Sequence, residues 1–130
     1  MGAVSELAAR ALTACGFECV FRSPVSALFC AEPAVLTEGA FERAARLEDG
    51  RERGIVIVDV LICRDVSLDA EAAGLAAERA LRAVAWPVDC DGFVRIAAAD
   101  TRGAGPRGRD GSGRWLWGFE LVCTVVRHVG

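Results

Sequence analysis

"IVIVDVLICRDVSLDAEAAGLAAERALRAVAW", Ile55 to Trp86, holds two patterns that meet near Asp65. Ile55 to Arg64 is β-branched and apolar on both faces apart from Asp59 and the closing Arg64, which predicts a central strand covered on at least part of both sides. From Ser67 the period becomes helical. Ala70, Ala73, Gly74, Ala77, Leu81 and Val84 form one narrow line of small residues, so the helix can lie close against a sheet. Ser67 is the expected cap, Asp69 and Glu71 suit the positive first turn, and Glu78, Arg79 and Arg82 are expected to face water. Pro87 closes the helix.

Upstream, "GAFERAARLEDG", Gly39 to Gly50, fits two readings. It is either a short helix with Phe41, Ala44, Ala45 and Leu47 inward, or the first arm of a hairpin turning at Asp49-Gly50. Both stay open, and the section from Pro24 to Gly54 is the least readable. Before it, "FECVFR", Phe17 to Arg22, alternates as a strand that Pro24 stops. The chain opens with a helical spacing from Val4 to Cys15, capped by Ser5 and ended by Gly16.

Downstream, "GFVRIAAA", Gly92 to Ala99, reads as a strand, and a closing strand begins near Trp115. Between them lies a stretch rich in Gly and Arg. An antiparallel neighbour needs only about two to five connecting residues, so this is expected to be a long functional or disordered loop. The closing strand sets Trp115, Trp117, Phe119, Leu121, Cys123 and Val125 on one face, with Leu116, Glu120, Thr124 and His128 on the other. At about 3.3 Å per residue it would reach about 43 Å, so it is expected to bend at Gly118, project, or pair with another subunit. The expected fold is α+β: a single domain over residues 1–130, with a mixed or antiparallel β-sheet packed against two α-helices and a long loop before the C-terminal strand.

Composition excludes little but shifts the weight. A net charge of −3 gives no global pull towards nucleic acid or an anionic membrane. All 15 basic residues are Arg, while Lys, Asn, Gln and Tyr are absent, a bias that a GC-rich genome explains without selection for guanidinium chemistry. Glu6 and Arg10 interrupt the amino-terminal segment, and the apolar run from Ile55 to Cys63 is too short for a membrane helix, so a soluble, cytoplasmic protein is expected. The six cysteines contain no CxxC pair; reduced and mostly buried thiols are expected, with no metal site.

No catalytic constellation emerges. "GAGPRG", Gly103 to Gly108, matches the spacing of a dinucleotide fingerprint, but it contains Pro and leads into a strand instead of a helix amino terminus. His128, the single histidine, reads as an exposed residue near the end of the chain. Asp59 is the one candidate for a buried carboxylate. Without a second partner for acid-base work it is expected to pair with an Arg of a neighbouring strand. No enzyme, cofactor or metal is therefore predicted. Arg102, Arg107, Arg109 and Arg114, set against Asp100 and Asp110, leave a local positive excess; they are either solvated or a contact arm for a partner or a DNA channel.

The order of elements, with "RLEDGRERG" (Arg46 to Gly54), "IVIVDVLICRD" (Ile55 to Asp65) and "RWLWGFELVCTVVR" (Arg114 to Arg127), resembles the small tail-terminator and tail-completion (head-tail joining) proteins of long-tailed phages and prophages. The resemblance covers Val4 to Val129. It implies a non-enzymatic ring, usually of six subunits, that caps the finished tail tube and presents a surface for head joining. The implied partners are further copies of the chain, the tail tube protein and the head-completion protein, with DNA passing through the ring channel. It also implies a place in the cytoplasm during assembly and then in the virion tail. Long loops line or rim such rings, which puts Arg102, Arg107, Arg109 and Arg114 at the partner or lumen contact. The alternative is a small α+β nucleic-acid-binding or ligand-binding module that uses the Arg/Gly loop 100–114.

Overall fold

The computed structural model describes residues 2–22 and 30–128; the expected stop at Pro24 lies outside them. Its order is α1 (Ala3–Ala14), β1 (Val20–Phe21), β2 (Ala34–Glu38), β3 (Glu42–Arg46), β4 (Glu52–Arg64), α2 (Ser67–Arg82), β5 (Val88–Asp89), β6 (Val94–Arg109) and β7 (Trp115–Arg127). Seven strands form one curled sheet in the order β1-β2-β4-β7-β6-β5, with β3 added to β4. The sheet is mixed because β1 and β2 run parallel, whereas the other pairs are antiparallel. This is the expected α+β class.

β4 and β7 are the spine. They pair from Glu52↔Arg127 to Arg64↔Trp115, so every residue of β7 has a partner in β4. The expectation that β7 bends out or projects is thus corrected: the partner strand that accounts for its length belongs to the same chain. On the far edge of β4, β2 pairs with Val58 to Ile62 and β3 with Glu52 to Ile55. The hairpin reading of Gly39 to Gly50 therefore holds. Leu47 N–H donates to the Arg51 carbonyl at 2.7 Å, and Gly50 supplies the left-handed turn position at φ +86°. Phe41 then covers Gly54, where a Cβ would stand 2.7 Å from Cζ of the ring.

One face of the sheet carries both helices. Val58, Val60, Ile62, Phe119, Leu121, Cys123 and Val125 alternate onto it and pack against Leu12 and Ala8 of α1 and Ala77 and Leu81 of α2, all buried. The alternation on β7 is as expected, although Trp115 and Trp117 are half-buried. On the other face Ile55, Ile57 and Leu61 are half-buried and Asp59 is exposed, so β4 is fully covered on one side only.

Several local expectations fail, two of them because the deciding partner is distant in sequence. Ser5 does not cap α1: Gly2 is the N-cap, and Glu38 of β2 accepts the Ser5 N–H at 2.7 Å and the Gly2 N–H at 3.3 Å. A carboxylate there also complements the positive helix end. Ser67 is the first residue of α2, follows Val66 as N-cap, and makes no capping hydrogen bond. Glu78 does not face water. It is 6% exposed and accepts a hydrogen bond from Thr101 Oγ1 at 2.8 Å. The strand expected over Phe17 to Arg22 shrinks to Val20–Phe21, and α2 stops at Arg82, short of Pro87.

The thiols are more exposed than expected. Cys63 and Cys123 are buried, Cys19, Cys30 and Cys90 are half-buried, and Cys15 is exposed. Burial pushes the Cys123 thiol up to about 12, with Glu38 and Cys90 adding to the shift.

Candidate functional site

The stretch expected to be a loop is mostly strand. β6 continues to Arg109, and Asp110 to Arg114 alone form the turn into β7. The correction has a physical cause. Gly103 (φ +67°) and Gly108 (φ +82°) take left-handed positions at register shifts, so these glycines make bulges and the ladder with β7 survives. Thr101 anchors this outer half of β6 through Glu78, which also pairs with Arg82 at 3.5 Å. A hydrogen bond to a charged group contributes about 1.5–3 kcal/mol, which adds to the ladder with β7 in fixing this strand beside α2. "GAGPRG" thus lies inside β6 and is followed by a turn and a strand, with no helix behind it.

The four arginines do not converge. Arg102 donates to Glu120 at 2.7 Å on the open face. Arg107 lies across Gly118, where a Cβ would stand 3.1 Å from its Cγ, and its guanidinium donates to the Gly105 and Gly103 carbonyls at 3.1 and 2.6 Å. Arg109 donates to the Gly113 carbonyl at 3.0 and 2.9 Å and stacks over the Trp115 ring at 4.7 Å. Arg114 is a clamp. Its side chain, 17% exposed, pairs with Asp110 at 2.7 Å and donates to the Cys30 carbonyl at 2.7 Å, tying the turn to the segment before β2. Burial alone would raise the Asp110 carboxyl, but hydrogen bonds from Arg114 and from Ser112 N–H outweigh it and hold the group below its ordinary value.

Beside this hairpin the open sheet face forms a depression of about 530 Å³. Its floor is apolar, with Val35, Leu61 and Leu116, and Arg107 and Arg114 stand at its rim. Thr37, Asp59, Glu120 and Arg102 form one row across four strands. Asp59 is therefore exposed, not buried, and the neighbouring Arg binds Glu120 in its place. Asp59 stands directly opposite Glu120 and has no cation within ion-pair distance among the described residues. His128 is exposed, its N–H donating to the Phe93 carbonyl at 2.9 Å. Among the described residues no group of three or more His, Cys, Asp or Glu is placed to hold a metal ion. No helix among the described residues is long and apolar enough to cross a membrane.

A second ionic cluster was not anticipated. Glu52, with a side chain 7% exposed, binds Arg43 at 3.1 Å, Arg127 at 3.2 Å and Arg46 at 3.6 Å, joining β3, β4 and β7 at one end of the sheet. Arg127 also stacks on Phe41 at 3.8 Å. "RLEDGRERG" shows the alternating charges, but only the strand pairing selects Glu52 as their centre.

No protein-family profile matches the chain, and no curated protein matches it in sequence. Among solved structures it is similar to a chain described as "Virion of native gene transfer agent (GTA) particle", with a TM-score of 0.67 and 15% identity over 93% of this chain and 90% of that one. At that identity the likeness establishes a shared fold across nearly the whole of both chains.

Proposed function

We propose that this chain is a non-enzymatic virion assembly protein that forms a closed ring, of six subunits, on the end of a tail tube and supports the joining of a head. The observation that carries the reading is the fold shared with a chain of a gene transfer agent virion over 93% of this chain and 90% of that one. The resemblance in element order and in the closing "RWLWGFELVCTVVR" supports the same role. The candidate chemistry is dispersed: Asp59 lies on the open face, His128 beyond β7, and the arginines of the β6-β7 hairpin bond their own strand. A surface of this kind suits contact with other subunits better than turnover of a substrate.

In this reading the partners are further copies of the chain, the tail tube protein and a head-completion protein, with the hairpin carrying Arg102, Arg107 and Arg109 toward a neighbour or the channel through which DNA passes. The protein works in the cytoplasm during assembly and ends in the virion tail. The test is to add gold-labelled protein to tail tubes assembled from the neighbouring tube gene and to image them. Label confined to tube ends is expected; label along the tube wall, or none, contradicts the assignment.

A further inference from the structure

Two surfaces on opposite sides of the molecule are unfinished in complementary ways. α2 packs its small-residue face on the sheet and turns Leu68, Ala72, Leu75 and Arg79 outward, a line at helical spacing. Leu68 is 71% exposed and Leu75 40% exposed, and with Val66 beside them they are three of the four exposed large hydrophobic side chains among the described residues; Phe93 is the fourth. Arg79, at the end of this line, is exposed and has no carboxylate partner among the described residues. The opposite side is the open sheet face, where the apolar depression around Leu61 ends at Asp59. Asp59 faces a like charge, Glu120, whose own cation is already taken.

The geometry points to a second copy of this chain as the occupant: we propose that the outer stripe of α2 from one subunit docks in the open-face depression of the next, with Leu75 over Leu61 and Arg79 against Asp59. The spacings agree. Leu75 and Arg79 are separated by about 6 Å along a helix, and Leu61 and Asp59 by about 7 Å along a strand. The charges agree as well, since each side lacks the partner that the other supplies. The free edge of β6 is a poorer seam for such a contact. Register shifts on both sides of Arg102 to Pro106, together with Pro106, Arg107 and Arg109, are the features that block edge pairing.

A contact between two different surfaces is head-to-tail and closes into a ring when the rotation per subunit allows it. The inference thus rests on the ring reading for its closure and adds the residues that make the seam. The test exchanges the charges. Asp59→Arg and Arg79→Asp are each expected to weaken self-association by about tenfold or more, the scale of a like-charge clash across an interface. The double variant D59R/R79D is expected to restore it. Melting temperatures are expected to shift only slightly because both residues are exposed, upward for Asp59→Arg, which ends the like-charge opposition to Glu120, and downward for Arg79→Asp, which puts an acid in the last turn of α2. If the wild-type protein forms rings and neither single variant weakens them, this seam is overturned while the ring reading stands. If the wild-type protein stays monomeric both alone and on tail tubes, the ring reading falls and this seam with it.

Discussion

Gly74 of α2 lies directly against the indole of Trp117 on β7: a Cβ on Gly74 would stand 2.6 Å from Cγ and from Nε1, and closer still to Cδ1. This approach lets a helix lined with Ala70, Ala77 and Leu81 settle onto the sheet.

At an exposed helix position, replacing Gly by Ala gains about 1 kcal/mol from helix propensity. Here the added methyl overlaps an aromatic ring fixed between helix and sheet, and overpacking of that kind costs about 1–3 kcal/mol. Gly74→Ala is therefore expected to lower stability in urea unfolding. In a Trp117→Leu background, which has its own packing cost, the same Gly74→Ala change is expected to cost less or to stabilise, since the overlapping ring is gone. A Gly74→Ala protein more stable than wild type would contradict the packing.

Glu52 sets the response to acid. Hydrogen bonds from Arg43 first, and then from Arg127, hold its carboxyl below the ordinary value of 4.5 against the opposing effect of burial. Because the folded value is the lower one, the unfolded chain takes up the proton more readily. The stabilising contribution is complete above the ordinary value and is lost as pH falls through the folded value. Asp110 and Asp49 are shifted the same way. Melting temperature is expected to fall with pH below about 5, and Glu52→Gln is expected to start lower at neutral pH and fall less steeply. Parallel curves for the two proteins would remove Glu52 from the explanation.

The hairpin arginines are expected to divide by role. Arg114→Ser breaks the clamp to Asp110 and Cys30 and is expected to lower the melting temperature by several degrees. Arg107→Ser with Arg109→Ser removes exposed side chains that bond the carbonyls of their own hairpin and is expected to lower stability by about 1 kcal/mol, less than Arg114→Ser does, while weakening ring formation or tube capping. If that double variant assembles normally and instead loses affinity for single-stranded DNA or phosphate, the hairpin is a ligand site.

The parts of this fold that are legible in the sequence are those whose cause is local. The apolar run from Ile55 to Arg64, the small-residue line of α2 and the alternation from Trp115 to Val125 each carry their own period. Residues 100–109 read as a loop in the sequence because glycines at bulges look like glycines in a loop; only the register with β7 distinguishes them. Glu38 at the start of α1 and Thr101 beneath Glu78 are joined to partners tens of residues away, and nothing near either residue announces it. The outward stripe was within reach. Leu68 and Leu75 are the large apolar residues of α2 that lie off its small-residue line, and their placement alone marks a second surface.

Assembly into a closed ring is tested by native mass spectrometry of the wild-type protein, alone and released from tail tubes, with class averages from electron microscopy. One discrete oligomer, a hexamer, with rotational symmetry and an open channel is expected. A monomer under both conditions, or an open series of masses without symmetry, would contradict it.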